Sequence, residues 1–293
     1  MHIISHKLFS VSQKIIFSLK AQEIKNLIHR DRLKFSYSDI HFYIYIIFLH
    51  QLFQQSFFSL HSQYKKNISY QAFMKNIALF SQLYFFLFTK FNKELNIKPS
   101  SLLNVVDSTL ITEKKVDFIT QTDWNKNRVT TRSKINEYKQ SVKYRICGSK
   151  GLFFINRFNQ IYSAQLLNIN DSDQNILKDT ARYVNELKGI LLADRGFNNK
   201  SVRKRFNNVK NSIFQQNTMK CKLISPKHYK EKEKLTKKET KLYKRRWKIE
   251  TLFQKLKHNY SGFKLNLTGN YKKTIKKAKF YATLIHYNLT TTM

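Results

Sequence analysis

Acidic residues, glycine, proline and cysteine are all scarce in this chain of 293 residues. Only 18 Asp and Glu stand against 54 Lys and Arg, a net charge of +36. Self-repulsion of that size costs stability in isolation, so a polyanionic partner, nucleic acid first, is expected. AT-rich coding enriches Lys, Asn, Ile, Phe and Tyr together, so charge alone does not decide the point. The two cysteines, Cys147 and Cys221, form no CxxC pair, which excludes a disulfide framework and a zinc-finger site and fits a reducing cytoplasm. A disordered basic arm is excluded by 42% hydrophobic content and by 24 Phe and 16 Tyr. The charge-free stretch 40–64 is broken by His41, His50, Gln51, Gln54, Gln55 and His61. Its apolar run, 42–49, is far shorter than the roughly 20 residues a spanning helix needs. With no signal-peptide pattern at the start of the sequence, no membrane is expected.

Breakers divide the sequence. All six glycines follow residue 147, and Pro99 is the only proline before Pro226. Residues 1–98 are therefore expected to form a helical N-terminal domain, with apolar residues at helical spacing. The clearest sets are Leu8, Val11, Ile15 and Leu19; Ile24, Leu27 and Ile28; Phe42, Tyr45, Ile46 and Leu49; and Ile77, Phe80, Tyr84, Leu87 and Phe88. Their aromatics are expected to fill a core rather than to stack on bases. From residue 99 to 293 the pattern changes to α/β layers. LLNVVDSTLI, KYRICGSKGLFFINRF, YSAQLLNI, ILLADRGF and CKLISP read as strands, the first and fourth ending near an acid. Asn170, Asp171, Ser172 and Asp173 read as a helix cap before NILKDTARYVNELKG, and SVRKRF reads as a short helix. A long helix is expected from about Lys237 to Asn259. No acid follows Glu250, while Lys264, Lys272, Lys273, Lys276, Lys277 and Lys279 do; a solvated tail and a phosphate-tracking surface are both open.

Asp107 and Asp194, at the ends of two apolar strands, would face one crevice if those strands are parallel neighbours. Carboxylates brought together repel unless a cation lies between them, and oxygen-rich sites suit Mg²⁺ or Mn²⁺. Taken singly, each acid could merely cap a turn. The late helix adds a third carboxylate. Tyr243, Arg246, Glu250 and Lys257 lie at offsets 0, 3, 7 and 14, within roughly 60° on a helix. Leu242, Ile249, Leu252, Phe253 and Leu256 form the neighbouring stripe that would dock it.

VVDST, ADRGF and the spacing Y-x2-R-x3-E-x6-K resemble the DDE transposases of bacterial insertion sequences, over about residues 100–290. The resemblance implies an RNase H-like mixed sheet flanked by helices, with Asp107, Asp194 and Glu250 as catalytic residues and metal ligands. It further implies two Mg²⁺ or Mn²⁺ ions per site, cleavage of double-stranded transposon-end DNA and transfer of the freed 3′-hydroxyl into target DNA. Arg246 and Lys257 would neutralise phosphates, Tyr243 would add a hydrogen bond or stacking contact, and Arg195 could bind DNA or simply occupy an exposed turn. A homodimer on DNA and a nucleoid-associated, cytoplasmic location follow by the same analogy. Two other classes stay open: an inactive or domesticated relative that only holds DNA ends, and an RNase H-fold nuclease that cuts without joining. Gly196 is expected to allow a tight turn or close approach. Trp124 and Trp247 are expected in the core, with stacking on unpaired bases the alternative, and the nine histidines show no metal-ligand spacing.

Overall fold

The computed structural model describes residues 35–53, 55–65, 67–114, 121, 125, 129–135, 141–173, 187–197, 221–226, 235–259 and 272–292. The chain divides into two compact units, residues 1–96 with 255–293, and residues 97–254. The segment after residue 254 thus groups with the N-terminal residues and not with those that form the sheet.

The N-terminal part of the first unit contributes the described helices α1 (Tyr37–Phe53), α2 (Phe57–Tyr64), α3 (Tyr70–Phe80) and α4 (Tyr84–Glu94). A 3-10 turn, Ser81–Leu83, links the last two. Ser56 and Ser69 cap α2 and α3 by accepting from the backbone N–H of Ser59 and Ala72, satisfying donors the first helical turn leaves free. Phe48, Phe73, Phe80, Tyr84 and Phe91 are fully buried, as core packing of the aromatics requires. Helix α1 is buried on most of its circumference (Ile40, Tyr43, Ile44, Ile46, Ile47 and Phe48) rather than along one stripe, because other helices cover it. The stretch from Tyr70 to Glu94 is long and apolar enough to cross a membrane, yet Phe73, Ile77, Phe80, Tyr84, Leu87, Phe88 and Phe91 along it are buried within the protein. The expected helices built on Leu8–Leu19 and Ile24–Ile28 lie outside the described residues, as do those of NILKDTARYVNELKG beyond Asp173 and of SVRKRF.

In the second unit, β1 (Leu103–Lys114), β2 (Val129–Ile135), β3 (Ser141–Asn156), β4 (Ile161–Asn168), β5 (Gly189–Ala193) and β6 (Cys221–Ile224) make one mixed sheet. Strand β3 is antiparallel to β1, β2 and β4, whereas β5 lies between β1 and β6 and runs parallel to both. This is the RNase H-like arrangement the sequence implied. One correction concerns Asp107. Strand β1 does not end there but continues to Lys114, because β3 pairs with it as far as Cys147. The parallel partner β5 stops at Ala193, opposite Val106, so Asp107 is the first β1 residue beyond that pairing. Strand β2 carries VTTRSKI, too polar to have been read as a strand.

Alternation along the strands separates two faces. Val106, Leu152, Phe154, Leu191, Ala193 and Phe197 form one buried cluster. Asp107 and its register partner Phe153 point the other way, where Phe153 packs on Phe253 with ring centroids 5.3 Å apart.

The long late helix is interrupted. Helix α5 (Lys237–Tyr243) passes through a 3-10 turn, Lys244–Arg246, into α6 (Trp247–Asn259). Of the expected docking stripe, Ile249, Leu252, Phe253 and Leu256 are buried, whereas Leu242, before the 3-10 turn, is only half-buried. Lys276 and Lys279 are buried within the final described helix, α7 (Lys272–Thr292), so this segment is not a solvated tail. Helix α7 packs on α1 and α4, and the Asn288 amide donates to Asn92 Oδ1 at 2.8 Å.

Candidate active site

Each acid is delivered by a different element. Asp107 leaves β1 as a buried carboxylate, its Oδ1 accepting from the Ser108 N–H at 2.8 Å. Asp194 follows β5 directly and opens a 3-10 turn, Arg195–Phe197. Its Oδ1 accepts from the Arg195 N–H at 2.7 Å, and the Ser225 hydroxyl beyond β6 donates to its carbonyl at 2.8 Å. Glu250 stands in the first turn of α6, more exposed than either aspartate. A capping box between Thr236 and Glu239 starts α5, and Glu239 also pairs with Lys222 of β6 at 2.8 Å. That pairing fixes the approach of α5 to the sheet.

Arg246 joins the parts. Its guanidinium donates to Asp107 Oδ2 through one terminal nitrogen and to Glu250 Oε1 at 2.5 Å through the other. The two oxygens therefore lie within the span of one guanidinium fork. The Tyr243 hydroxyl donates to Asp194 Oδ1 at 3.5 Å, and the Arg246 guanidinium carbon lies 5.8 Å from the Tyr243 ring centre. Burial pushes the Asp107 carboxyl up to about 7, helped by the nearby charges of Asp194 and Asp173; Arg246 and the Ser108 N–H oppose the rise. Burial likewise raises the Tyr243 phenol, against the pull of Arg246.

Tyr243, Arg246 and the three acids are thus gathered where β5 ends against the middle of β1. Arg195 projects an exposed side chain from the turn after Asp194, and Lys257 lies exposed on α6, two turns past Glu250. Trp247 departs from expectation: it is 58% exposed, because the stripe that docks α6 begins at Ile249. Trp124 lies outside the described residues. Gly196 does serve close approach, since a Cβ there would stand 3.0 Å from Asp173 Oδ2. Asp173 itself, read in the sequence as part of a cap, sends its carboxylate to Lys150 at 3.2 Å and Ser108 at 2.9 Å. No local signal announces those contacts, which depend on strand register.

A family model described as the transposase DDE domain matches residues 99–286, well over half of the chain. The chain belongs to that family. No curated protein matches this DDE-family chain in sequence. Among solved structures, the cryo-EM structure of the piggyBac transposase synaptic complex with hairpin DNA is similar at 10% identity and a TM-score of 0.44. That likeness covers 96% of this chain and 81% of the other.

The family implies a divalent ion. Hard oxygen ligands in a strongly basic protein suit Mg²⁺ or Mn²⁺. Asp107, buried beside two further carboxylates and unwilling to ionise, is the kind of group a cation would stabilise. Among the described residues no three His, Cys, Asp or Glu side chains form a ready cage; Asp107 and Glu250 meet through Arg246 instead. The donor chemistry fits the ion, while the oxygens are shared with a guanidinium.

Proposed function

We propose that this DDE transposase cleaves transposon-end DNA in a metal-dependent reaction and transfers the freed 3′-hydroxyl into target DNA. The observation that carries the reading is the Arg246 fork, which brings a carboxylate from mid-β1 beside one from α6. Tyr243 reaches from the same helical segment to the acid after β5. Asp107, Asp194 and Glu250 would hold Mg²⁺ or Mn²⁺, two ions in this reading. Bound there, the ions supply activation of an attacking oxygen and neutralisation of the departing one in an in-line displacement.

The remaining work falls to the chain. Arg246, already poised between two acids, can offer a guanidinium nitrogen to a phosphate oxygen and fix the register of the strand. Lys257 and Arg195 supply further exposed positive charge, and Tyr243 holds Asp194 while presenting its ring. Exposed Trp247, the residue after Arg246, makes base stacking available. Hydrolysis and strand transfer are the same displacement with different nucleophiles, so one set of residues serves both. Two ends must be handled together, which favours a homodimer on double-stranded DNA, acting in the bacterial cytoplasm at the nucleoid.

The test uses labelled duplexes copied from the DNA flanking the gene, a target plasmid and Mg²⁺. Joined products are expected. Cleavage without joining would point to a nuclease, and a shifted but uncut duplex to an inactive end-binding relative. Asp107→Ala, Asp194→Ala and Glu250→Ala should each abolish cleavage while leaving duplex affinity largely intact. Retained Mg²⁺-dependent cutting in one variant would remove that residue from the site.

A further inference from the structure

Asp107 is held from two sides. On its own face of the sheet it meets Arg246. On the opposite face, the residue after it, Ser108, donates its hydroxyl to Asp173 Oδ1 at 2.9 Å. The same oxygen accepts from the Lys150 ammonium at 3.2 Å, and that ammonium also donates to the Asp171 carbonyl. Lys150 sits on β3, in register with Leu110 of β1, and its side chain is only 8% exposed. A lysine so deeply placed requires a counter-charge, and Asp173 supplies it. The other oxygen of Asp173 faces Gly196, where any Cβ would be 3.0 Å away. A fourth carboxylate thus touches the residue after Asp107 and the turn after Asp194.

We propose that Asp173, neutralised by Lys150, is a positioning residue that acts through Ser108 to aim the Asp107 carboxylate toward bound metal. The proposal deepens, and rests on, the reading of Asp107 as a metal ligand. The path is short. Asp173 fixes the Ser108 hydroxyl; Ser108 in turn directs its backbone N–H at Asp107 Oδ1, 2.8 Å away. One Asp107 oxygen is thereby turned to the backbone, and the other is left toward Arg246. Outer partners that orient a ligand typically change metal affinity or activity about 10- to 100-fold when removed. The close fit of Gly196 on Asp173 makes the same residue a stop for the turn carrying Asp194, so the two acids are set against one reference.

The test measures Mn²⁺ binding to the full chain by titration calorimetry, without DNA, alongside cleavage of the flanking-sequence duplex. Ser108→Ala deletes only the hydroxyl and leaves the Lys150–Asp173 pair in place, so it preserves the fold. Lys150→Met with Asp173→Ala removes the buried pair together and avoids an orphaned charge. Each variant should weaken Mn²⁺ binding about tenfold and lower kcat without raising KM for the duplex. All three substitutions combined should be no weaker than the worse of the two, as expected of one linear path. Ser108→Thr, which keeps a hydroxyl, should restore binding. Mn²⁺ affinity within twofold of the parent in both variants, or additive losses in the combination, would overturn the proposal. Asp107→Ala separates the two levels. Lost Mn²⁺ binding there with unchanged binding in Ser108→Ala defeats the positioning role alone, whereas unchanged binding in Asp107→Ala defeats both.

Discussion

Arg246 serves two acids at once, and only a planar fork does that without strain. A lysine at this position offers a single point of charge and would satisfy Asp107 or Glu250, not both. Arg246→Lys should therefore keep duplex affinity within a few fold while cleavage falls about 100-fold, the scale of a 1 Å misplacement of reacting groups. Single-turnover cleavage at saturating duplex measures it; full activity would show that bridging is dispensable. Asp107, Asp194 and Glu250 stood out as candidates in the sequence because each sits in a short motif that survives without three-dimensional context. The partners of Asp173 were not. Ser108 lies 65 positions away and Lys150 lies 23 away, distances that only strand register closes. Trp247 was misjudged because an indole beside Ile249 looks like core until the docking stripe is drawn.

At the scale of elements, the helix bearing Arg246 and Glu250 depends on how it starts. Thr236 accepts from the Glu239 N–H while Glu239 accepts from the Thr236 N–H, and Glu239 also anchors Lys222. The Lys222 ammonium and Thr236 pull the Glu239 carboxyl down to about 2. Thr236→Ala should cost about 1 kcal/mol in chemical denaturation and lower the cleavage rate, because α5 sets the rotation at which the 3-10 turn presents Arg246. An unchanged rate would mean that α6 alone positions the arginine. The spacing of Tyr243, Arg246 and Glu250 pointed to one continuous helix. KRR contains no glycine or proline to announce the tighter turn, so the break was invisible in the sequence. The extension of β1 past Asp107 was hidden for a related reason. Strand length there is set by the partner β3, not by the local run of apolar residues.

Across the whole molecule, charge and pH are the levers. With 54 Lys and Arg, duplex binding should weaken steeply with salt. Lys257→Ala should reduce the slope of log affinity against log salt by about 1 if that ammonium meets a phosphate; an unchanged slope would count against the contact. The helical unit carries its own acid sensitivity. Burial pushes His50 down to about 4, with Lys279 adding and the bond to Gln55 opposing, and burial does the same to His286. Both rings stay neutral in the folded unit but protonate near 6.5 once unfolded. The unfolded chain therefore binds more protons, and stability is lost as pH falls from about 6.5 toward 4. Melting temperatures should drop over that window, and His50→Gln with His286→Gln should flatten the drop; parallel profiles would assign the loss to other groups.

Helix α7 packs with α1 and α4, yet the whole mixed sheet lies between them in the chain. On the ribosome, residues 97–254 must emerge before the first unit can close its core. The sheet can thus form before α7 is available, and until then α1 and α4 leave the apolar surface that α7 covers exposed, a state prone to aggregation. Production of this protein should accordingly be most sensitive to heat and to chaperone supply during synthesis, in the interval before the last helical turns arrive.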